Sequence, residues 1–270
     1  GYMSKAQDNL YIAYNNIDEY LKDLKHALTK EHKRYGEVGV LKDGKRIQIN
    51  TSIIQIENEY YSSIRPKRVT PPGERPLNIL RAEGIDYVEI RALDNNSFLP
   101  SGIDEDTSYF LEAYLIGCFF GEDKKSSQDE IKELLVNWEN VVKEGRNPDL
   151  KILKNKEKIT VKDSGMKVID YLREVFEQMP SEMSGYVEKV MKSLNKQEEK
   201  LNDASLTPSG RIVSELQNNN KTWEELNLEL AGEHSQSLKR IETDLNYLSK
   251  EAKSSLEKFN ELGNHQEEEF

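Results

Sequence analysis

The sequence contains a single cysteine, Cys118, among 270 residues. One cysteine excludes an internal disulfide and leaves no cysteine cluster that could hold zinc. Because small secreted proteins are often stapled by disulfides, this composition favours a reducing compartment, and we expect a cytoplasmic protein. No apolar run approaches the roughly 20 residues that a membrane-spanning helix needs, so we expect no membrane partner.

Positive charge is also scarce, because 38 lysines and arginines stand against 49 aspartates and glutamates, which gives a net charge of −11. A general nucleic-acid binder needs clustered cations to displace counterions, so we expect no nucleic-acid partner. The Gly-x-x-x-x-Gly-Lys-Ser/Thr pattern of a phosphate-binding loop is absent. With 36% hydrophobic residues, the chain can still bury the core of one large domain or two small ones.

Extended and helical patterns occupy different parts of the sequence, which predicts an α+β fold. The first third reads as strands: a hairpin around Asp43-Gly44, an extended segment at 52–61 and a clear strand at 85–93. Helical spacing dominates the remainder. We therefore expect a strand-rich part at residues 1–105 and a helical region packed on it at residues 106–270.

Several helices are predicted from apolar spacing and capping residues. They cover residues 16–30, 107–120, 166–179 and 183–201, a segment behind a capping box that begins at Ser127, a start at Thr207-Pro208, and a long helix from Thr222. The segment 107–120 is apolar on nearly every side, which predicts a buried helix. Behind Ser127, six residues make one apolar face: Ile131, Leu134, Leu135, Trp138, Val141 and Val142. Trp138 is interpreted as a packing anchor.

The strand at 85–93 has two different faces, because alternate side chains of a strand point in opposite directions. Glu89 and Arg91 therefore share one face, while Val88 and Ile90 share the other, apolar one. One interpretation is an exposed ion pair. The other is the floor of a cleft in which Glu89 binds a metal such as Mg²⁺ and Arg91 contacts phosphate.

A compact group of cations follows the extended segment: Arg65, Lys67 and Arg68 surround Pro66. Such a group could neutralise the phosphates of a nucleotide. Charged runs of this kind also occur as solvated loops, and the residues alone leave both interpretations open.

Several long segments resemble the proteobacterial-type glutamate–cysteine ligases. They are 42–50 (KDGKRIQIN), 55–59 (QIENE), 64–69 (IRPKRV), 84–91 (GIDYVEIR), Gly1-Tyr2 with Lys5 and Gln7, and the stretch from Trp138 to Pro148. The resemblance is dense from residue 1 to about 105, thinner through the helices and weak after about 215. The resemblance therefore rests on long and specific sequence segments.

The resemblance implies an enzyme that joins L-glutamate to L-cysteine with ATP through a γ-glutamyl phosphate, the first step of glutathione biosynthesis. It also implies a glutamine-synthetase-like antiparallel sheet curved into a bowl, followed by a mainly helical C-terminal region. The expected cofactors are ATP and Mg²⁺ or Mn²⁺, with the divalent ions inside the bowl.

The resemblance also assigns roles to residues of this sequence. Glu89 looks like a metal-binding glutamate, and Arg91 looks like the catalytic arginine that contacts the transferred phosphoryl group. Tyr2 looks like a tyrosine of the substrate-binding cysteine pocket. The ATP-binding candidates are Tyr61, Arg65 and Arg68, which fall in segments close to the nucleotide.

Family members carry an N-terminal half that precedes the segment matched here, so that half is an expected partner. It would supply further metal ligands and much of the cysteine pocket, and we expect the present chain to be inactive alone. Two alternatives stay open: a related carboxylate–amine ligase with another amine acceptor, and a non-catalytic helical interaction protein. The second rests on an approximate heptad seam at residues 238–259.

Overall fold

The structure is a computed structural model and describes Gln7, residues 10–239 and residues 245–264. Its helices are α1 (Ile17–Thr29), α2 (Lys33–Val38), α3 (Pro76–Glu83), α4 (Glu105–Phe120), α5 (Gln128–Glu144), α6 (Val161–Glu177), α7 (Ser184–Asn202), α8 (Pro208–Asn218), α9 (Trp223–Leu238) and α10 (Leu245–Asn264). Its strands are β1 (Leu41–Lys42), β2 (Lys45–Arg46), β3 (Ile64–Lys67), β4 (Tyr87–Ile90), β5 (Lys151–Lys154) and β6 (Glu157–Thr160). Helices and short antiparallel strands confirm the predicted α+β class.

The chain divides into two compact units. The first unit comprises Gly1–Asn95 and Asp104–Arg211, and the second comprises Asn96–Ile103 and Ile212–Phe270. The predicted division at residue 105 follows strand and helix content and stays a prediction. Within the described residues, no helix has both the length and the apolar character that crossing a membrane requires.

The strands pair as three antiparallel ribbons, β1–β2, β3–β4 and β5–β6. The turn between β1 and β2 confirms the Asp-Gly hairpin, since Asp43 and Gly44 both adopt positive φ, 51° and 74°. The β5–β6 hairpin turns at Asn155 and Lys156, which also have positive φ. No expectation from the sequence covered that hairpin, because its turn lacks the glycine that makes such a signal strong.

Two expectations about extended segments are corrected. The segment at 52–61 forms a 3₁₀ turn, Glu57–Glu59, and no strand. Here the Gln55 side chain accepts the backbone N–H of Ile49, and the Gln55 N–H donates to the Glu59 carboxylate. Side-chain bonds of this kind offer the backbone an alternative to a strand ladder. The strand at 85–93 is shorter than predicted and covers only Tyr87–Ile90.

The first unit contains two hydrophobic cores. One packs α1 against α3, and its buried members are Ile12, Tyr20, Leu21, Leu24, Ala27, Ile54 and Leu80. The predicted start of α1 is confirmed, because the Asn16 side chain accepts the Glu19 N–H at 2.8 Å. Arg65 and Pro66 of β3 are also buried, and together with Tyr20 and Leu24 of this core they line one small cavity.

The second core joins α4, α6 and α7, and its buried members are Ala113, Ile169, Leu172, Phe176, Val190 and Leu194. The prediction that α4 is a buried helix is wrong for most of its surface. Only Ala113 and Gly117 of α4 are buried, and Phe119 is 84% exposed. The helix is apolar all round, but α6 and α7 cover only one of its sides.

Helix α5 begins as predicted, with both hydrogen bonds of a capping box between Ser127 and Glu130. Its apolar face, however, is solvent-exposed, and the expected packing anchor Trp138 is 40% exposed. In the second unit, α9 ends at Leu238 with Lys239 as its C-cap, so the predicted single long helix from Thr222 is wrong. Ile241 of the heptad seam lies outside the described residues.

Candidate active site

The β3–β4 ribbon brings the predicted site residues together. Its register pairs Ile64 with Ile90, Arg65 with Glu89, Pro66 with Val88 and Lys67 with Tyr87. Directly opposite residues of an antiparallel pair share a face, so Arg65, Lys67 and Glu89 face the same way. Arg91 follows on that face, and its N–H donates to the Ser63 carbonyl at 2.7 Å, which extends the ladder past β4.

Glu89 is the centre of this face. Its Oε1 lies 3.0 Å from Arg91 Nε, and its Oε2 accepts from Arg91 Nη2 at 3.0 Å. Lys67 Nζ lies 3.6 Å from the same Oε2. The two-pronged contact fixes the plane of the Arg91 guanidinium, which is the geometry that also matches phosphate oxygens.

The electrostatics of the face favour an anion. Hydrogen bonding from Arg91 is the largest effect and holds the pKa of Glu89 below its ordinary value, although burial acts in the opposite direction. The charges of Arg91, Lys67 and Arg65 lower the pKa of Glu89 further. Glu89 is therefore ionised at neutral pH. The face then carries three cations and one carboxylate, so a net positive charge remains to attract a ligand.

Tyr61 lies beside Arg91, with the guanidinium carbon 5.1 Å from the centre of its ring. A cation over an aromatic face at this distance is attracted by the ring quadrupole. Tyr61 and Glu89 thus hold Arg91, and the Arg91 side chain keeps 21% of its surface exposed. The structure therefore joins three of the predicted residues, Tyr61, Glu89 and Arg91, in one place.

Arg65 belongs to the same face of β3 as Lys67, but its side chain is buried and only 4% exposed. Its Nη2 donates to the Glu57 carbonyl at 3.3 Å, and among the described residues its Nε has no hydrogen-bond partner. It lines a small, partly open cavity of about 30 Å³ beside α1 and α3, which is too small for a nucleotide base. Arg65 therefore acts on the face through its charge, which helps to lower the pKa of Glu89.

Arg68 is engaged elsewhere. Its Nε donates to the Gly84 carbonyl at 2.8 Å and its Nη2 to the Glu83 carbonyl at 2.9 Å, while Nη1 pairs with the Glu83 carboxylate at 3.3 Å. These are the carbonyls that the end of α3 leaves without helical partners. The side chain thus closes α3, and a role in nucleotide binding stays a prediction.

One predicted site residue, Tyr2, has not yet been described, and one residue of the face, Lys67, was not among the predicted site residues. Tyr2 lies outside the described residues. Lys67 belongs to the site but was noted in the sequence only as one of a group of cations. Its spacing from Arg65 could have placed it, because residues i and i+2 of a strand share a face.

The donor atoms of this chain decide whether it could hold a divalent metal ion by itself. Among the described residues, no group of three or more His, Cys, Asp or Glu side chains could hold a metal ion. Both oxygens of Glu89 contact Arg91, and Mg²⁺ needs about six oxygen ligands, several of which can be waters. The residues present therefore do not fit a complete metal centre, and Glu89 could supply one ligand at most.

Comparisons with known proteins show which family the chain resembles. The family model described as Glutamate-cysteine ligase matches residues 1–141. The chain is 37% identical over 239 residues to the glutamate–cysteine ligase of Pseudomonas putida, covering 88% of this chain and 45% of that protein. It is 37% identical over 257 residues to that of Pseudomonas fluorescens, covering 95% of this chain and 47% of that protein.

Solved structures extend the comparison. The glutamate–cysteine ligase of Francisella tularensis, solved in complex with AMP, superposes with a TM-score of 0.86 at 35% identity. That match covers 96% of this chain and 51% of the Francisella chain. A bifunctional glutathione synthetase from Pasteurella multocida, 17% identical with a TM-score of 0.57, shares the fold alone. The chain spans about half the length of these curated relatives, and it belongs to the glutamate–cysteine ligase family.

Proposed function

We propose that this chain forms part of an enzyme that joins the γ-carboxylate of L-glutamate to the amine of L-cysteine with ATP, the first step of glutathione biosynthesis. The observation that carries the proposal is the geometry of Arg91. Its guanidinium is held by Glu89 and Tyr61 on a face with excess positive charge. Family membership gives the reaction class, and the AMP in the Francisella structure supports an adenine nucleotide as co-substrate.

The reaction proceeds in two steps. An oxygen of the glutamate γ-carboxylate attacks the γ-phosphorus of ATP, which forms γ-glutamyl phosphate and releases ADP. The cysteine nitrogen then attacks the acyl carbon and expels inorganic phosphate, and the nitrogen loses a proton as the amide forms. Phosphoryl transfer asks a protein mainly for positioning and for neutralisation of charge on the equatorial oxygens.

Arg91 is the catalytic residue of this proposal, and the exposed part of its guanidinium would contact the transferred phosphoryl group. Because Glu89 and Tyr61 fix its plane before substrate arrives, no reorganisation is needed at the moment of reaction. Lys67 and the buried Arg65 add charge of the same sign. Tyr61, Arg65 and Arg68 are proposed for the nucleotide side of the site, and Tyr2 for the cysteine pocket.

In this proposal, a divalent ion would bind at a site shared between this chain and the complementary half of the ligase. Glu89 would supply one oxygen ligand to Mg²⁺ or Mn²⁺, and the other ligands would come from the part of the ligase that this chain does not cover. A bound divalent ion would neutralise phosphate charge. For the same reason we propose that the chain is inactive alone and works with that complementary half, in the cytoplasm.

The test measures ADP release from ATP, L-glutamate and L-cysteine with Mg²⁺. Three samples are compared: this chain, the complementary half of the ligase, and both together. The proposal expects continuous release of ADP, beyond a single turnover, only from the combined sample and only with both amino acids present, because cysteine is needed to consume the γ-glutamyl phosphate. Turnover by this chain alone would contradict the shared site, and release with a different amine in place of cysteine would contradict the proposed acceptor.

A further inference from the structure

Helix α5 turns its apolar side to solvent. The residues Leu134, Leu135, Trp138, Val141 and Val142, called here the α5 stripe, are between 38% and 68% exposed. They recur at the i, i+3, i+4 and i+7 spacing of a helix that buries one face. A contiguous apolar stripe on a soluble protein marks an interaction surface, whereas single exposed apolar residues do not.

The polar side of α5 faces its own chain. Asn137 is 8% exposed, donates to the Leu153 carbonyl at 2.6 Å and accepts the Leu153 N–H at 2.7 Å. The Glu133 carboxylate accepts the Lys156 N–H at 3.4 Å. These bonds to the β5–β6 hairpin fix the rotation of α5 about its axis. The α5 stripe therefore cannot turn inward without breaking both hydrogen bonds between Asn137 and the partly buried backbone of Leu153.

Burial of the α5 stripe would be strongly favourable. Full burial of one large apolar side chain is worth about 1.5–3 kcal/mol, and the stripe offers five such side chains at partial exposure. Each is held at one side of a single rigid helix, so a partner could cover them together. The sequence pattern of α5 thus encodes a buried helix, although nothing in this chain covers the stripe within the described residues.

We propose that the complementary half of the ligase covers the α5 stripe. The relatives are about twice as long as this chain, and the chain keeps the Francisella fold over 96% of its length at a TM-score of 0.86. Helix α5 thus has the orientation that belongs to a fold whose known members are about twice as long as this chain. This inference rests on the proposed function only because that function requires the complementary half.

The test compares two identical substitutions on one helix. Val142 belongs to the stripe and is 68% exposed, whereas Val136 is 48% exposed and lies on the opposite side of α5 at 100° per residue. This chain and the complementary half are co-expressed, and the dissociation constant of the purified complex is measured by analytical ultracentrifugation. Val142→Glu should weaken binding at least about 100-fold, and Val136→Glu less than about threefold.

A second measurement reports the stripe directly. Trp223→Phe leaves Trp138 as the only tryptophan of this chain, and 5-fluorotryptophan is incorporated into this chain alone. Complex formation should shift its ¹⁹F resonance and remove its sensitivity to a soluble paramagnetic quencher. Circular dichroism checks that both glutamate variants fold. We expect both to fold, because both valines are exposed.

Three results would overturn the inference. One is a failure of the parent chain to bind the complementary half. Another is equal binding by Val142→Glu and Val136→Glu. The third is self-association of this chain that Val142→Glu abolishes while binding of the complementary half persists, which would make a second copy the occupant. A complex that forms through the stripe but releases no ADP would refute the proposed function and leave this inference intact.

Discussion

The β3–β4 and β5–β6 ribbons have the same size and the same antiparallel pairing, yet their polar groups are satisfied in opposite ways. In β5–β6, Asn137 pairs with both backbone groups of Leu153, and the ribbon serves as a support for α5. In β3–β4, Arg91 and Lys67 both contact the Glu89 carboxylate while the buried Arg65 adds its charge, and Arg91 keeps exposed surface. The difference teaches that a short ribbon becomes a candidate site where its cations gather around one partly buried carboxylate, because the lysines of β5–β6, Lys151, Lys154 and Lys158, are instead exposed to solvent.

The largest expected effect is a loss of enzyme activity that occurs when the β3–β4 ribbon is changed and does not occur when the β5–β6 ribbon is changed. Arg91→Ala should lower kcat/KM of the assembled ligase about 10²–10³-fold, because one preorganised donor to a charged transition state is worth that much. The melting temperature of the chain should change little, since Arg91 is partly exposed. Lys154→Ala removes an exposed cation from the other ribbon and serves as the control. Equal activity of both variants would remove the distinction between the ribbons.

The second prediction concerns protein stability, to which the contact between α5 and the β5–β6 ribbon should contribute. Asn137→Ala should lower the free energy of unfolding by about 1–3 kcal/mol, because it leaves the Leu153 N–H and carbonyl unpaired. Urea denaturation of this chain measures the change. Val136→Ala, on an exposed position of the same helix, should stay within about 0.5 kcal/mol of the parent. A loss no larger than that of the control would contradict the supporting role of this ribbon.

The third prediction concerns how Arg91 is held. Tyr61→Leu removes the ring beneath the guanidinium, and the lost interaction of about 0.5–1 kcal/mol should lower kcat/KM about two- to fivefold. Tyr61→Phe keeps the ring and should retain activity near that of the parent. Steady-state kinetics of the assembled ligase measure both variants. A large loss in the Phe variant would instead give the hydroxyl a role.

The smallest effect is a dependence on pH. The folded pKa of Glu89 lies below the ordinary 4.5, with hydrogen bonding from Arg91 as the main cause. The stability that this ion pair contributes is therefore fully present above pH 4.5 and is lost as the pH falls through the folded pKa. A ¹³C titration of the Glu89 carboxyl should give a midpoint below 4.5 that rises in Arg91→Ala. A midpoint at 4.5 or above in the parent would contradict the contact.

The sequence predicted the centre of the site because two-residue spacing on a strand fixes which side chains share a face. Glu89 and Arg91 meet as expected, and the resemblance to the ligase family supplied their proposed roles. Sequence spacing could not show that Arg68 turns to the Gly84 carbonyl, since that bond spans 16 residues and depends on where α3 ends. Nor could it foresee the burial of Arg65, which depends on the core beside α1 and α3.

Element boundaries show the same limit. The Asp43-Gly44 turn and the capping box at Ser127 are local signals, and both are confirmed. The extended segment at 52–61 failed because the bonds of Gln55 to Ile49 and Glu59 compete with a strand. The exposed apolar face of α5 was predicted as a face, but its exposure could not be predicted, because it depends on which elements pack against α5.

The central claim is that Arg91 on the β3–β4 face acts in phosphoryl transfer, and a single-turnover measurement tests it most directly. The assembled ligase is mixed with ATP labelled at the γ-phosphorus and L-glutamate without cysteine, and formation of γ-glutamyl phosphate is followed in time. We expect Arg91→Ala to slow this step about 10²-fold or more while Lys154→Ala forms the intermediate at the parental rate. Formation at the parental rate in Arg91→Ala would contradict the account.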